Sequence, residues 1–276
     1  MTAQASAASS SAAPAAKKPR SNAPSNLLVV IASLGFLLFW EVAVRQIGVP
    51  AYILPTPTTV AKFAYQDFVS GVIFRHFMVT LWEVLAGFGF AAVGGILLGT
   101  MFGLMPLLNK IAYPLILAFQ TVPKIALAPL FLIWFGFGPQ SKIITVATIV
   151  FFPVLVNVIT GLNTVDARRL LLMRALRAGP IKTYFKVRFP SMLPYMFAGL
   201  EVAIVFSVTG AIVAEFIGAS AGLGALIIQR QASSDVAGVF SVLVYLTVMG
   251  LVLHAILKVI ARRCTAWAQT DFVVSS

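Results

Sequence analysis

The side chains able to do chemistry are few and widely spaced. Glu83, Lys124, Glu201 and Glu215 lie inside long apolar stretches, where an ionisable group is costly and usually faces a bundle interior or an aqueous path. Glu83 and Glu201 fall near the starts of their stretches and read as structural. Lys124 follows a proline, and Glu215 stands near the far end of its stretch. A Lys124–Glu215 pair across a bundle is open to them. Either could also line a solute pathway, with Asn157 as a polar companion. His76 and His254 are far apart and read as structural. Gly218-Ala219-Ser220-Ala221-Gly222 has the spacing of a nucleophile elbow, but that device needs a strand before it and a helix after it. An apolar stretch of membrane-span type precedes it here, so it reads as a loop of small residues. No GxxxxGK[ST], HExxH or CxxC motif occurs. Cys264 is the lone cysteine and allows no internal disulfide. The expectation is no catalytic residue, no metal ligand set and no cofactor bound by this chain. If the protein moves a solute uphill, power and capture must come from other subunits.

These residues are set in a strongly apolar chain. Of its 276 residues, 60% are hydrophobic and 10% charged, with mean hydropathy +0.98. Soluble domains carry about 25% charged residues, so an ordinary water-soluble globule is excluded and an all-α polytopic membrane protein is expected. The formal net charge of +12 then reads as a topology signal rather than a nucleic-acid footprint.

About six transmembrane helices are expected. Residues 1–25, rich in Ala, Ser and Pro, read as a disordered tail. A first span covers 27–45. A Pro-rich stretch, 49–57, interrupts helix, and Val60–Phe74 could form an amphipathic helix at the interface. A transmembrane domain over 76–260 follows, with helices at about 77–104, 111–135, 143–162, 194–217 and 239–260, and a tail at 261–276. The second of these five should bend at Pro114, Pro123 and Pro129. Gly87, Ala91, Gly95, Gly99 and Gly103 recur every fourth residue, a stripe that permits close helix packing in lipid. With the N-terminus inside, 14 basic residues fall on the cytoplasmic side and five outside, as the positive-inside rule requires. Seven of the 14 lie in the loop 163–193.

That loop is the informative segment. Leu172, Met173 and Leu176 share one helical face, and Arg174 and Arg177 another. Gly179-Pro180 breaks the helix, and a second short helix, Ile181 to Val187, leads to Phe189-Pro190. Two short helices and a tight turn make a docking element.

The loop is placed like the EAA loop of ABC-transporter permeases of the binding-protein-dependent type. Counting back from Phe189-Pro190, Glu-Ala-Ala falls on Leu171-Leu172-Met173 and the motif's glycine on Arg177, so Gly179 is expected to supply the turn. The runs 172–178 and 185–194 resemble the nitrate/sulfonate/taurine-type subgroup, which includes systems for pyrimidine precursors. Leu54-Pro55-Thr56-Pro57, Gln120 to Leu130, Trp134 to Gly138, Phe151 to Asn157 and Glu215 to Gly218 with Gly222-Leu223-Gly224 resemble the family's other signatures.

The resemblance implies a type-1 ABC importer permease fold, working as a homodimer in the bacterial inner membrane with both termini cytoplasmic. ABC ATPase subunits would bind ATP and meet the loop through Leu171, Leu172, Met173, Arg174, Arg177, Gly179, Phe185 and Pro190. An extracytoplasmic solute-binding protein would deliver cargo of the nitrate, sulfonate, taurine or pyrimidine-precursor kind. Lys124, Asn157 and Glu215 are the candidate pathway residues, and membrane lipid, not nucleic acid, is the surrounding partner. An ion-coupled secondary transporter is the rival, but no internal repeat of the kind such proteins carry is visible.

Overall fold

The structure is a computed structural model that describes residues 23–267. The expected N-terminal tail lies outside the described residues except for its last three positions, which are helical. The end of the C-terminal tail, from 268, lies outside as well. Among the described residues every regular element is a helix.

Two units are present, 1–48 and 49–276. The first contributes α1, Ala23–Ile47, uncharged up to the Glu41–Arg45 ion pair near its end. Leu28, Leu34, Leu38 and Phe39 are all exposed, as a lipid-facing span requires.

The second unit opens with α2, Pro57–Ser70. Thr56 caps it by accepting the Thr59 N–H at 3.3 Å, and Pro57 occupies the first turn, where a missing N–H costs nothing. The Leu-Pro-Thr-Pro motif is thus a helix start. Gly71, at φ +77, turns the chain into α3, Val72–Leu104, a helix that begins at Val72 rather than Phe77.

The next span is broken in two. α4, Pro106–Thr121, is followed by a 3₁₀ turn, Lys124–Leu127, and by α5, Ala128–Phe135. The two halves meet at 76°. Pro123 is the cause: it forces Val122 out of the helical region, to φ −62 and ψ 130. Pro114 stays inside α4, and Pro129 is absorbed in the first turn of α5.

α6, Pro139–Asn163, starts four residues ahead of the expected 143 because Pro139 is tolerated in a first turn. Then come α7, Ala167–Ala175; α8, Pro180–Thr183; a π turn, Tyr184–Arg188; α9, Phe189–Phe216; α10, Leu223–Ala232; and α11, Val236–Cys264. Five helices are long and apolar enough to cross a membrane, or six if the broken pair is one span.

α6 is the central helix, packed along α3 on one side and α9 on the other. Lipid is as apolar as leucine, so close contact rather than water exclusion holds these helices together. The stripe on α3 supplies that contact. Gly87 faces Val146, Gly95 faces Val154, Gly99 faces Val158 and Gly103 faces Leu162, each two turns or one turn apart on α6. A Cβ on Gly99 would stand 2.8 Å from the Val158 Cβ and 3.0 Å from the Leu155 carbonyl oxygen. On the other flank, Gly199 of α9 lies against Asn157 and the Pro153 carbonyl.

Candidate functional site

Three polar constructions stand out from the apolar frame. The first is the loop 163–193, at one end of the bundle. Asp166 caps α7 by accepting the Arg168 N–H at 2.8 Å. At its other end the Arg177 N–H bonds Arg174 O and the Ala178 N–H bonds Met173 O, both at 2.9 Å, the paired closure of a Schellman turn. The left-handed residue of that turn is Arg177, at φ +50. Gly179, expected to supply the turn, is instead extended (φ −63, ψ 167) and starts α8. The residue standing at the glycine position of the general motif therefore keeps glycine's conformation without its chemistry.

α8 does not end before the next span. The Phe189 N–H reaches back five residues to Tyr184 O, and the π turn carries the chain into α9 without a break, so that Pro180–Phe216 forms one run of 37 residues. Pro190 has no N–H to offer Lys186 O, and a wider turn absorbs that loss. The span expected from Pro194 thus begins much earlier. On the hairpin Leu171, Leu172, Leu176, Ile181 and Phe185 are all exposed, as are Arg174 and Arg177, while Met173 and Pro190 are half-buried. Tyr184, Phe185 and Phe189 stack at 5.1–6.4 Å and stiffen its base. Apolar and cationic side chains exposed together on a rigid hairpin suit a protein surface better than lipid alone.

The second construction closes the opposite end of the bundle. Glu215, at the end of α9, is fully buried. Its Oε1 accepts from Thr80 Oγ1 at 2.6 Å and its Oε2 from the Gly224 N–H at 2.5 Å. Thr80 Oγ1 also accepts the Leu223 N–H at 2.7 Å, and His76 donates from Nδ1 to Gly222 O at 2.8 Å. The carboxylate thereby caps α10 and fixes loop 217–222 to α3. Gly222, at φ +122, and Gly224 are glycine because a Cβ on either would run into the Glu215 carboxyl. Glu83 and Lys142 are its charged neighbours; both are buried. Lys142 Nζ donates to Phe137 O at 2.6 Å and Gly138 O at 3.1 Å. The structure does not bring Lys124 to Glu215. Lys124 Nζ donates to Gln120 O at 2.8 Å and lies 4.8 Å from the centre of the Phe152 ring, at the break in the bent span. Asn157 Nδ2 donates to Pro153 O at 2.8 Å and sits at the α6–α9 crossing. The three candidate pathway residues are therefore in three separate places.

The third construction ties α2 down. Asp67 accepts from both terminal nitrogens of Arg230, 2.8 Å for the Nη1–Oδ2 bond, and from Ser241 Oγ at 2.6 Å. Arg230 also donates to Gly238 O at 2.7 Å, and Tyr245 donates to Ala64 O at 2.7 Å. Sequence reasoning missed Asp67, Thr80 and Glu83 as partners. His76, Thr80 and Glu83 are spaced i, i+4, i+7, one helical face, and that spacing was the available signal. Among the described residues no group of three or more His, Cys, Asp or Glu could hold a metal ion.

Residues 91–266 match the family of binding-protein-dependent transport system inner membrane components. The chain is 32% identical over 234 residues to the formylaminopyrimidine transport permease protein ThiX of Halalkalibacterium halodurans, covering 85% of this chain and 93% of that protein. It is 32% identical to the riboflavin transport system permease protein RibX of Chloroflexus aurantiacus (84% and 86% covered). It is 27% identical to the taurine transport system permease protein TauC of Escherichia coli (86% and 88%). Its fold is similar to a chain of the MetNI methionine ABC transporter in an inward-facing conformation, with TM-score 0.60 at 20% identity, covering 69% of this chain and 94% of that one.

Proposed function

The chain belongs to the family of binding-protein-dependent transport system inner membrane components; it is a transport permease and not an enzyme, and from that premise we propose how it works. It forms one half of a homodimeric channel in the bacterial inner membrane, with both termini on the side of loop 163–193. The hairpin of α7 and α8 seats in a groove of an ABC ATPase, which binds the ATP. A solute-binding protein delivers cargo to the opposite face, where Glu215 holds loop 217–222. The carrying observation is the hairpin: exposed Leu171, Leu172 and Leu176 stand on α7 and its closing turn, exposed Phe185 stands on the run continuous with α9, and the two arms are joined by a closed turn, so movement imposed on the loop reaches the bundle interior.

The cargo is a small polar solute of the pyrimidine-precursor, sulfonate, taurine or nitrate kind; the names of the formylaminopyrimidine and taurine permeases support the first and third of these. Lys124, a cation at the break in the bent span, is the pathway residue with the best supporting contacts. Asn157 serves the α6–α9 crossing, and Glu215 acts by positioning the loop.

The test is reconstitution with the cognate ATPase and binding protein in liposomes. ATP-dependent uptake of formylaminopyrimidine, taurine or nitrate is expected. Arg174→Glu with Arg177→Glu should abolish ATPase co-purification, and Lys124→Ala should lower uptake while sparing it. Uptake that runs on an ion gradient without ATP would overturn the assignment.

A further inference from the structure

The structure moves Glu201 to the middle of a helix. A span starting at 194 would hold it near its beginning, but α9 starts at Phe189, so twelve residues of the helix precede Glu201 and fifteen follow it. About 18 Å and about 22 Å of helix separate it from the two ends. Glu201 is half-buried, and among the described residues it has no hydrogen-bond or ion-pair partner. A carboxylate at such a depth is costly against lipid and usually faces a bundle interior or an aqueous path. The α6 contact is not open to it: Gly199 and Gly210, which meet α6, fall on the opposite side of α9 at about 3.6 residues per turn.

Glu201 instead borders a strip along α9. Tyr195, Ala198, Val202, Val205 and Thr209 follow one another three or four residues apart and are all exposed, so they form one continuous face. Two of the five carry hydroxyls. The exposed row on α3, Phe90, Val93 and Leu97, is apolar throughout, the composition that lipid favours. At its hairpin end the strip on α9 runs into a cavity of about 590 Å³, walled by Pro194, Tyr195 and Ala198 together with Arg169 of α7 and Lys186 of the π turn. Pro194 and Ala198 are seven and three residues before Glu201, on its own face. The cavity thus reaches to within about one helical turn of the acid.

We infer that this strip of α9 lines the solute path and that Glu201 is a specificity-determining residue on it, favouring a solute that presents an ammonium or amino N–H and opposing a bare anion. Charges act on one another more strongly between low-dielectric walls than in bulk water, and a carboxylate takes N–H donors in charge-assisted hydrogen bonds. Of the cargo kinds named above, the aminopyrimidines and taurine carry such a group and nitrate does not. Arg169 and Lys186 stand at the hairpin end of the strip, so the field of Glu201 is read best at Val205, one turn beyond it in the other direction. The inference rests on the permease reading and deepens it, but the face can be probed without transport.

The experiment is cysteine accessibility in the full chain with its cognate ATPase in phosphatidylcholine nanodiscs, where both membrane faces are open to reagent. Cys264→Ser, at the lone cysteine, is the background. Val205→Cys or Val202→Cys on the strip, and Val93→Cys on the α3 row, are treated with a trimethylammonium-bearing and a sulfonate-bearing methanethiosulfonate, each rate being normalised to that with a free thiol. The strip cysteines are expected to react at least tenfold faster than Val93→Cys with the cationic reagent. Glu201→Gln keeps the shape and removes the charge, and should lower the preference for the cationic over the anionic reagent at Val205→Cys at least fivefold. A smaller rate difference at both strip positions overturns the path, as does a disulfide between two copies through these cysteines, which would make the strip a seam. A smaller change in preference on Glu201→Gln overturns the specificity role. ATP-driven uptake with unreactive strip cysteines would sink the path alone; reactive, charge-selective cysteines with uptake driven by an ion gradient would sink the ATP-driven reading alone.

Discussion

Replacing Arg177 by glycine should tighten the hairpin, although it deletes a charge and a long side chain. Arg177 sits at φ +50, where a Cβ costs roughly 1–2 kcal/mol. Glycine removes that strain but has more freedom to lose when the turn closes, which takes back about 0.5–1 kcal/mol. The net gain is about 0.5–1 kcal/mol in closing the turn. Its reporter is the Ala178 N–H, bonded to Met173 O at 2.9 Å. Hydrogen exchange at that amide reads the local opening free energy. A gain of this size slows exchange by about two- to fivefold, since 1.4 kcal/mol is tenfold. Arg177→Ala is the matched arm: it loses the same charge but keeps a Cβ, so exchange should stay near that of the unaltered chain. If the glycine and alanine variants exchange alike, or the glycine variant exchanges faster, backbone strain at Arg177 is the wrong account of this turn.

Gly99→Ala should destabilise the protein by about 1–3 kcal/mol through overpacking against Val158. Gly89→Ala, where a Cβ meets nothing within 4 Å, should be neutral or slightly stabilising; thermal unfolding in one detergent compares the two. Thr80→Val removes both the donor to Glu215 and the acceptor for the Leu223 N–H, so a loss of about 2–4 kcal/mol is expected from two buried groups left unpaired, with faster proteolysis in loop 217–222. Asp67→Asn should cost about 3 kcal/mol by leaving Arg230 enclosed with only Asp235, at 3.9 Å, as counter-charge, and Ser241→Ala only about 1 kcal/mol; equal losses in chemical unfolding would mean that charge is not what holds α2.

The apolar framework was legible because it is written in periodicity. The four-residue recurrence from Gly87 to Gly103 announced a packing face, and it meets a valine row on α6 of the same period. The hairpin was legible as two helices and a turn, and the family resemblance was borne out. Helix ends were less legible because prolines mark them ambiguously. Pro139 opens a helix, Pro123 breaks one, Pro114 and Pro194 sit inside one, and only the neighbouring packing decides between these outcomes. The partners of Glu215 and Arg230 were harder still. Thr80 is 135 residues from Glu215, and Asp67 is 163 residues from Arg230; no local pattern encodes which of several buried polar groups will meet. Arg177 misled in the opposite sense, since a glycine two residues away offered an easier turn that the chain does not use.

The uninterrupted run from Pro180 to Phe216 has a mechanical meaning. At 37 residues it is about 55 Å long, and its π turn, Pro190 and Pro194 lie toward the hairpin end, leaving α-helix from there to Glu215. A rod of that length pivoting near its middle by about 10° swings each tip by about 5 Å in opposite directions. Pulling the hairpin one way thus drags loop 217–222 and α10 the other way with little elastic loss, because the Glu215 carboxyl clamps them to the rod's end. A thrust received on one side of the membrane would arrive at the other as an inverted stroke of similar amplitude, so that one mouth widens as its opposite narrows, with no separate signal between them.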